Sequence, residues 1–433
     1  MTPVEIGILG CVVMVVLLLC SMPVALAMGV VGVAGFAAIG SWPSARALLA
    51  TDLYDTFANY NLTVIPLFVF MGQVAFHAGI SGRLFAAANS WLSAWRGGLA
   101  MATVGACAAF GAICGSGPAT AATMAAVALP EMKKYKYDDA LASGTVAAGG
   151  SLGMLIPPSV VFIVYGILTE QSIGKLFIAG ILPGVLMAAL FCAMIYIRCL
   201  LNPSLAPPAV RVPWRVRWTS LLGVIETLLL FAFVMGGMFM GWFTPTEAAA
   251  MGALGSIVLA ALGGNCTRKM LWQAAQETVR TSCMVLVIIA GATLFGHFLA
   301  VTGMPTQFAA WLAALPLPPM LIIALIILFF LVAGCFVDAL ALILLTIPIF
   351  YPVVSDLGFD PIWFGVIVVV VTQMGVITPP VGVNVYVVSG IDRSIPLQTI
   401  FRGSMPFLLV LVALCALLMV FPQITTWLPG VTR

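Results

Sequence analysis

The 433-residue chain predicts an all-α polytopic membrane protein. Its plan is two inverted-topology repeats, each with a re-entrant helical hairpin and a broken transmembrane helix. Three observations lead there. Hydrophobic residues make up 63% of the chain and charged residues only 7%, with a mean hydropathy of +1.19. Soluble domains carry about 25% charged residues. Glycine, serine, threonine and proline interrupt otherwise membrane-grade segments, where an unpaired backbone group in lipid costs several kcal/mol. The same order of interruptions then recurs about 220 residues later. The net charge of +3 is scattered and gives no reason to invoke nucleic acid.

In chain order, residues 4–20 and 23–40 read as two spans, the first retained and not a signal peptide, since MTPVEIGILG lacks a basic start. Residues 41–61 are more polar and suit a surface loop with an interfacial helix; 62–79 is a third span. Residues 80–96 carry Arg83, Trp91, Trp95 and Arg96, as an interfacial connector would. The first interrupted stretch runs from 97 to 168. Its breaks are Gly115-Ser116-Gly117-Pro118 and Gly149 to Gly153 leading into Pro157-Pro158. Spans follow at 176–197 and 221–243, joined by a linker with Arg211, Arg215, Arg217 and four prolines. Residues 247–262 span next, 265–280 form an amphipathic basic segment, and 284–301 span again. Residues 332–390 repeat the first pattern: Gly375 and Pro379-Pro380 lie 222 residues after Gly153 and Pro157-Pro158. The resulting units are 1–60, N-terminal scaffold helices; 61–180, first repeat; 181–280, connecting scaffold helices and basic linkers; 281–406, second repeat; and 407–433, a span end and tail.

Arms of about 15 residues cannot cross a bilayer core that needs about 20, so 99–114 and 119–132 predict a re-entrant hairpin. Lys133, Lys134 and Lys136 at its base mark the cytoplasmic side. Between Thr281 and Asp392 there is no Lys or Arg, so the second hairpin, with Asp356 and Asp360 at its base, is expected to open outside. Five crossings between the hairpins invert the second unit, the plan of a secondary transporter.

The segments GAICGSGPATAATM, ALPEMKKYKYDDALA, GSLGMLIPPS, GWFTPTEAAA and GFDPIWFGVIVVVVTQMGVITPPVGVNVYV together resemble the large membrane subunit of TRAP (tripartite ATP-independent periplasmic) transporters, over essentially the whole chain. That resemblance implies a sodium-coupled importer of organic acids in the bacterial inner membrane, working as an elevator. It also implies two partners, a small four-helix membrane subunit on a separate chain and a periplasmic substrate-binding protein. No cofactor is implied beyond sodium as coupling ion. Which acid is carried is expected to lie mainly with the binding protein.

Unwound backbone supplies carbonyl oxygens to a cation, while half-helix N-termini face an anionic group. Gly115, Ser116, Gly117, Gly150 and Ser151 are therefore candidates for one sodium site, and Gly334, Asp338, Gly375, Thr378 and Pro379 for its symmetry mate. The plainer reading of these glycines is close helix packing. Asp338, alone in an apolar run, is either a cation or proton site or the cap of the next half-helix. Ser116, Gly117, Pro118, Ala119 and Thr120 offer an anion site at a half-helix start; Ser159 and Asn384, just past the Pro-Pro breaks, are candidates beside them, Asn384 alternatively as an interhelical hydrogen bond. Glu247 with Thr244 reads as a capping box. Glu226 is expected near the interface or paired with Arg217, and His77 and His297 in ordinary packing. The ten cysteines form no C-x-x-C pair and read as inert thiols.

Three other functions stay in view: a proton-coupled organic-anion transporter, an ion channel, and an intramembrane serine hydrolase. The last rests on Gly149-Gly150-Ser151-Leu152-Gly153, which satisfies G-x-S-x-G and would need a base such as His297.

Overall fold

The computed structural model describes residues 2–20, 22–208, 212–313 and 316–431, so Arg211 lies outside the described residues. Helices α1 (Pro3–Leu19) and α2 (Val24–Ile39) form an apolar pair, the first started by a capping box of Thr2 and Glu5. The helix expected within the surface segment 41–61 is α3 (Trp42–Ala58), which takes up most of it, because Ser41 caps it and Pro43 sits in its first turn. A 3-10 turn leads into α4 (Val64–His77) and the amphipathic α5 (Ile80–Leu92).

The expected hairpin is present as α6 (Gly98–Cys114) and α7 (Gly117–Lys134). Gly115 makes the turn at φ 64°, a left-handed conformation that glycine takes without a Cβ penalty. The broken helix follows as α8 (Asp139–Leu155) and α9 (Val160–Leu168), bent by 41° at the Pro-Pro step; Gly149 to Gly153, expected to belong to the break, are helical within α8, because only the prolines remove helix donors. Next come α10 (Ile173–Leu201), α11 (Trp214–Phe239) and α12 (Pro245–Leu262), whose capping box of Thr244 and Glu247 is formed as expected. Glu226 pairs with Arg83 at 3.3 Å and not with Arg217.

One expectation changes. The amphipathic segment and the span after it are a single 35-residue helix, α13 (Arg268–Thr302). Composition shifts near Thr281, but no glycine or proline breaks the backbone there, so the helix simply leaves the surface and enters the apolar layer. The second unit repeats the first: α14 (Met304–Ala313), hairpin arms α15 (Pro319–Gly334) and α16 (Ala339–Asp356), then α17 (Pro361–Gly375) and α18 (Val383–Ile391). The chain closes with α19 (Leu397–Val420) and α20 (Gln423–Val431). Helices α13 and α19 thus run across positions 280 and 406, where sequence alone suggested boundaries. Among the described residues seven helices are long and apolar enough to span a bilayer, and α8 with α9, taken as one bent span, makes an eighth.

Packing gathers the helices into two groups, joined where α5 packs on both α6 and α11, α4 on α6, and α13 on α16. Helices α2, α4, α12 and α13 pack on one another, with α1, α3 and α11 around them; α8 is wrapped by α6, α7, α18 and α19, beside α10 and α17. Close backbone crossings hold the second body together. A Cβ on Gly403 would lie 1.8 Å from the Ala140 carbonyl oxygen, and one on Gly111 2.6 Å from the Gly153 Cα.

The two broken helices run in opposite directions. Helix α8 starts beside the base of the first hairpin, and α9 ends at the base of the second, where Tyr165 donates to the Pro361 carbonyl at 2.6 Å and Gln171 to the Tyr351 hydroxyl at 3.2 Å. Helices α17 and α18 make the return path, ending where Lys133 bridges Asp392 and Ser394. Each broken helix therefore joins one hairpin base to the other.

Candidate functional site

Each hairpin tip is fastened to its broken helix by the same bond. The Val160 amide donates to the Gly115 carbonyl at 3.3 Å, and the Val381 amide donates to the Cys335 carbonyl at 3.2 Å. Glycines allow this approach: a Cβ on Gly115 would meet the Pro158 oxygen at 2.4 Å, and one on Gly375 the Gly334 carbonyl carbon at 2.4 Å. The packing role of these glycines is thus real, and it is also what brings the tips to the breaks.

A cavity of about 250 Å³ lies where the tips meet α4 and α13. Gly115, Ser116, Gly117, Pro118 and Ala119 line it from the first tip, Asp338, Ala339 and Leu340 from the second, with Gln73 and Thr281 across from them. The two half-helices present unlike ends to it. Asp338 caps α16, its Oδ2 accepting the Leu340 amide at 3.1 Å. Ser116, the corresponding residue of α7, makes no side-chain cap, so the positive end of that helix stands at the cavity without one.

The remaining candidates lie behind this wall, engaged with backbone. Thr120 donates to the Ser116 carbonyl at 2.8 Å, Ser151 to Ala148 at 2.6 Å, and Thr378 to Met374 at 2.6 Å. Ser159 donates to Met154 at 2.5 Å and caps α9 by accepting the Phe162 amide. Asn384 donates to the Ala147 carbonyl at 3.0 Å, the interhelical bond that was the alternative to a substrate role for it. Gly150 packs on Ala121, while Gly334, Gly375 and Pro379 stand at the second tip and its break, outside the cavity lining.

Gln73, Thr281 and Gln373 carry no local motif and are not foreseen from sequence. Gln373 is wholly buried, and neither of its amide atoms has a hydrogen-bond partner among the described residues; the Oδ1 of Asn384 shares that state. His297 is not in ordinary packing but bonds Asp52 at 2.7 Å, and His77 contacts Glu277 at 3.3 Å. The hydrolase reading fails on the same geometry. Ser151 sits inside helix α8, fully buried and donating to its own helix, and among the described residues no hydrogen bond joins it to His297, whose Nδ1 bonds Asp52. The required strand-turn-helix elbow is absent there.

Two helical hairpins that close a small cavity among helices long and apolar enough to span a bilayer are the build of a membrane transporter. Two solved transporters share the fold: YdaH of Alcanivorax borkumensis, with a TM-score of 0.58 over 90% of each chain at 17% identity, and MtrF of Neisseria gonorrhoeae, with 0.55 over 88% of this chain and 84% of that one at 15% identity. The family model of the tripartite ATP-independent periplasmic transporter, DctM component, matches residues 11–424, and the chain belongs to that family. It is 37% identical over 394 residues to the C4-dicarboxylate TRAP transporter large permease protein DctM of Pseudomonas aeruginosa, covering 90% of each. It is 36% identical over 372 residues to the sialic acid large permease protein SiaM of Vibrio cholerae, covering 86% of each. The isethionate permease DctMQ of Oleidesulfovibrio alaskensis is 33% identical over 422 residues, spanning 96% of this chain and 64% of that protein. The chain is therefore a multi-pass inner-membrane component of a three-part transporter, and not an enzyme.

Proposed function

We propose that this chain is the sodium-coupled large permease subunit of a TRAP system, importing an organic acid handed to it by a periplasmic binding protein. Its relatives are named for C4-dicarboxylates, sialic acid and ectoine, which puts a small carboxylate first among substrates. A separate small membrane subunit flanks it. The body holding both hairpins is the moving elevator, and the body of α1–α4 with α11–α13 is the fixed scaffold.

The observation that carries this reading is the unequal pair of half-helix ends at one cavity. The uncapped α7 terminus at Ser116, Gly117, Pro118 and Ala119 suits the carboxylate. The acid-capped α16 terminus suits a cation, through Asp338 with Gly334, Gly375, Thr378 and Pro379 around the second break. A second cation would sit at Gly115, Ser116, Gly117, Gly150 and Ser151. These groups offer carbonyl, hydroxyl and carboxylate oxygens, the hard donors that broken-helix transporters give to sodium. Among the described residues no three His, Cys, Asp or Glu side chains cluster as a transition-metal site would require.

The test is uptake into liposomes carrying the full complex under an imposed sodium or proton gradient. Uptake following sodium is expected. Uptake that follows protons and ignores sodium would replace this reading with proton coupling, and unchanged uptake without the binding protein would end the tripartite assignment.

A further inference from the structure

The second body carries a polar cavity that transport leaves without a role. It has a volume of about 610 Å³ and lies between the end of α10 and the start of α19, against the first turn of α8. Arg198, Asn202, Thr399, Arg402, Asp138 and the apolar Leu201 line it. Two features make it a built site. Gly403 lies against Ala140 with no room for a Cβ, which fixes Arg402 and Thr399 beside the start of α8. The Asp138 amide donates to the Leu205 carbonyl at 3.0 Å, which ties the loop after α10 to the same place.

Its charge is net positive. Neither arginine forms an ion pair among the described residues, and the Nη1 of Arg198 is buried with no hydrogen-bond partner there. Asp138 is the one carboxylate in the lining, and its Oδ1 is occupied in capping α8 by the Leu141 amide at 2.9 Å. The ordinary role of Arg198 would be to bond the last carbonyls of α10, and Nη1 does not do so. A buried guanidinium nitrogen without an acceptor calls for an anion. The rim of the cavity is greasy: Leu201 is 81% exposed, and Ile197 and Leu200 on the same last turns of α10 are exposed too. An ion from solution has no use for such a rim, whereas an acyl chain does.

We propose that this cavity binds the phosphate of an anionic phospholipid of the cytoplasmic leaflet, with Arg198 and Arg402 on the phosphate and its chain along Ile197, Leu200 and Leu201. Only the leaflet rests on the orientation given by the lysines of the first hairpin. Basic pockets between spans on that side are a recognised way to hold anionic head groups. A lipid there would ride on the body that carries the hairpins.

The test uses the delipidated complex in detergent and reads lipid affinity from the shift in thermal unfolding midpoint, so it does not depend on sodium coupling or on transport. Phosphatidylglycerol is titrated against phosphatidylcholine, with inorganic phosphate as a separate arm. The expected result is stabilisation by phosphatidylglycerol, none by the other two, about tenfold weaker binding in Arg402→Gln and about a hundredfold weaker in Arg198→Gln with Arg402→Gln, about tenfold for each charge-assisted hydrogen bond lost. Arg402 is exposed, so Arg402→Gln alone keeps the test usable should the double variant misfold. Equal phosphatidylglycerol stabilisation of wild type and variant would overturn the site. A full shift with inorganic phosphate would overturn the lipid in favour of a free anion.

Discussion

At the residue scale, Asp338 can be separated into its two roles. As a cap it accepts a backbone amide of α16, and asparagine caps about as well as aspartate, whereas alanine costs about 1 kcal/mol. As a cation ligand it supplies a charge that asparagine lacks. Asp338→Asn should therefore keep the unfolding midpoint of wild type and lose sodium-dependent uptake, and Asp338→Ala should lose both. Normal sodium dependence in the asparagine variant would reduce Asp338 to a cap. Gln373 allows the opposite test. Its amide is buried without partners, at a cost of about 1–3 kcal/mol for an unpaired group. Gln373→Leu should leave stability equal or higher, and it should reduce uptake if the unpaired amide serves transport. Full uptake in this variant would dismiss it as a site residue.

At the element scale, the base of the first hairpin is held by Lys133 on Asp392 and Ser394. The Lys133 contact is the main cause that holds the Asp392 carboxyl below its usual value of 3.8, with Ser394 adding to it. A carboxyl depressed in the folded state stabilises fully above its ordinary value and loses that contribution as pH falls through the folded value. The hairpin base should thus stay closed from neutral pH down to the carboxylate range and loosen only below it. Hydrogen exchange over residues 130–138 checks this: Asp392→Asn should exchange faster at pH 7, and no difference from wild type would remove the contact from the hairpin's stability. The elements themselves were largely legible. Gly115, Pro118, Pro157-Pro158 and Pro379-Pro380 announce breaks because a helix in lipid cannot otherwise give up its hydrogen bonds. The continuity of α13 was not, since charge ends near Arg280 while the backbone carries on. Nor were Gln73, Thr281 and Gln373, lone polar residues in apolar helices that acquire meaning only from neighbours far along the chain. The pairing of His297 with Asp52, 245 residues apart, was hidden in the same way.

At the scale of the whole molecule, the antiparallel broken helices and the cavity they frame lead to one mechanical expectation. The cavity has walls from both bodies: Ala119 rides with the hairpins, whereas Gln73 belongs to α4. In an elevator such walls must part during each cycle; in a channel or a rocking gate with a fixed site they need not. Bridging Gln73→Cys and Ala119→Cys with a short, reducible bifunctional thiol reagent, in a background free of the ten native cysteines, should therefore stop uptake. Cleaving the bridge should restore it. Lys133→Ala in the same background is the control for damage that is not mechanical, since it frees the hairpin base without tying the bodies together. Uptake that continues at full rate across an intact bridge would mean that α4 and the first hairpin travel together, and the division into scaffold and carrier would have to be drawn elsewhere.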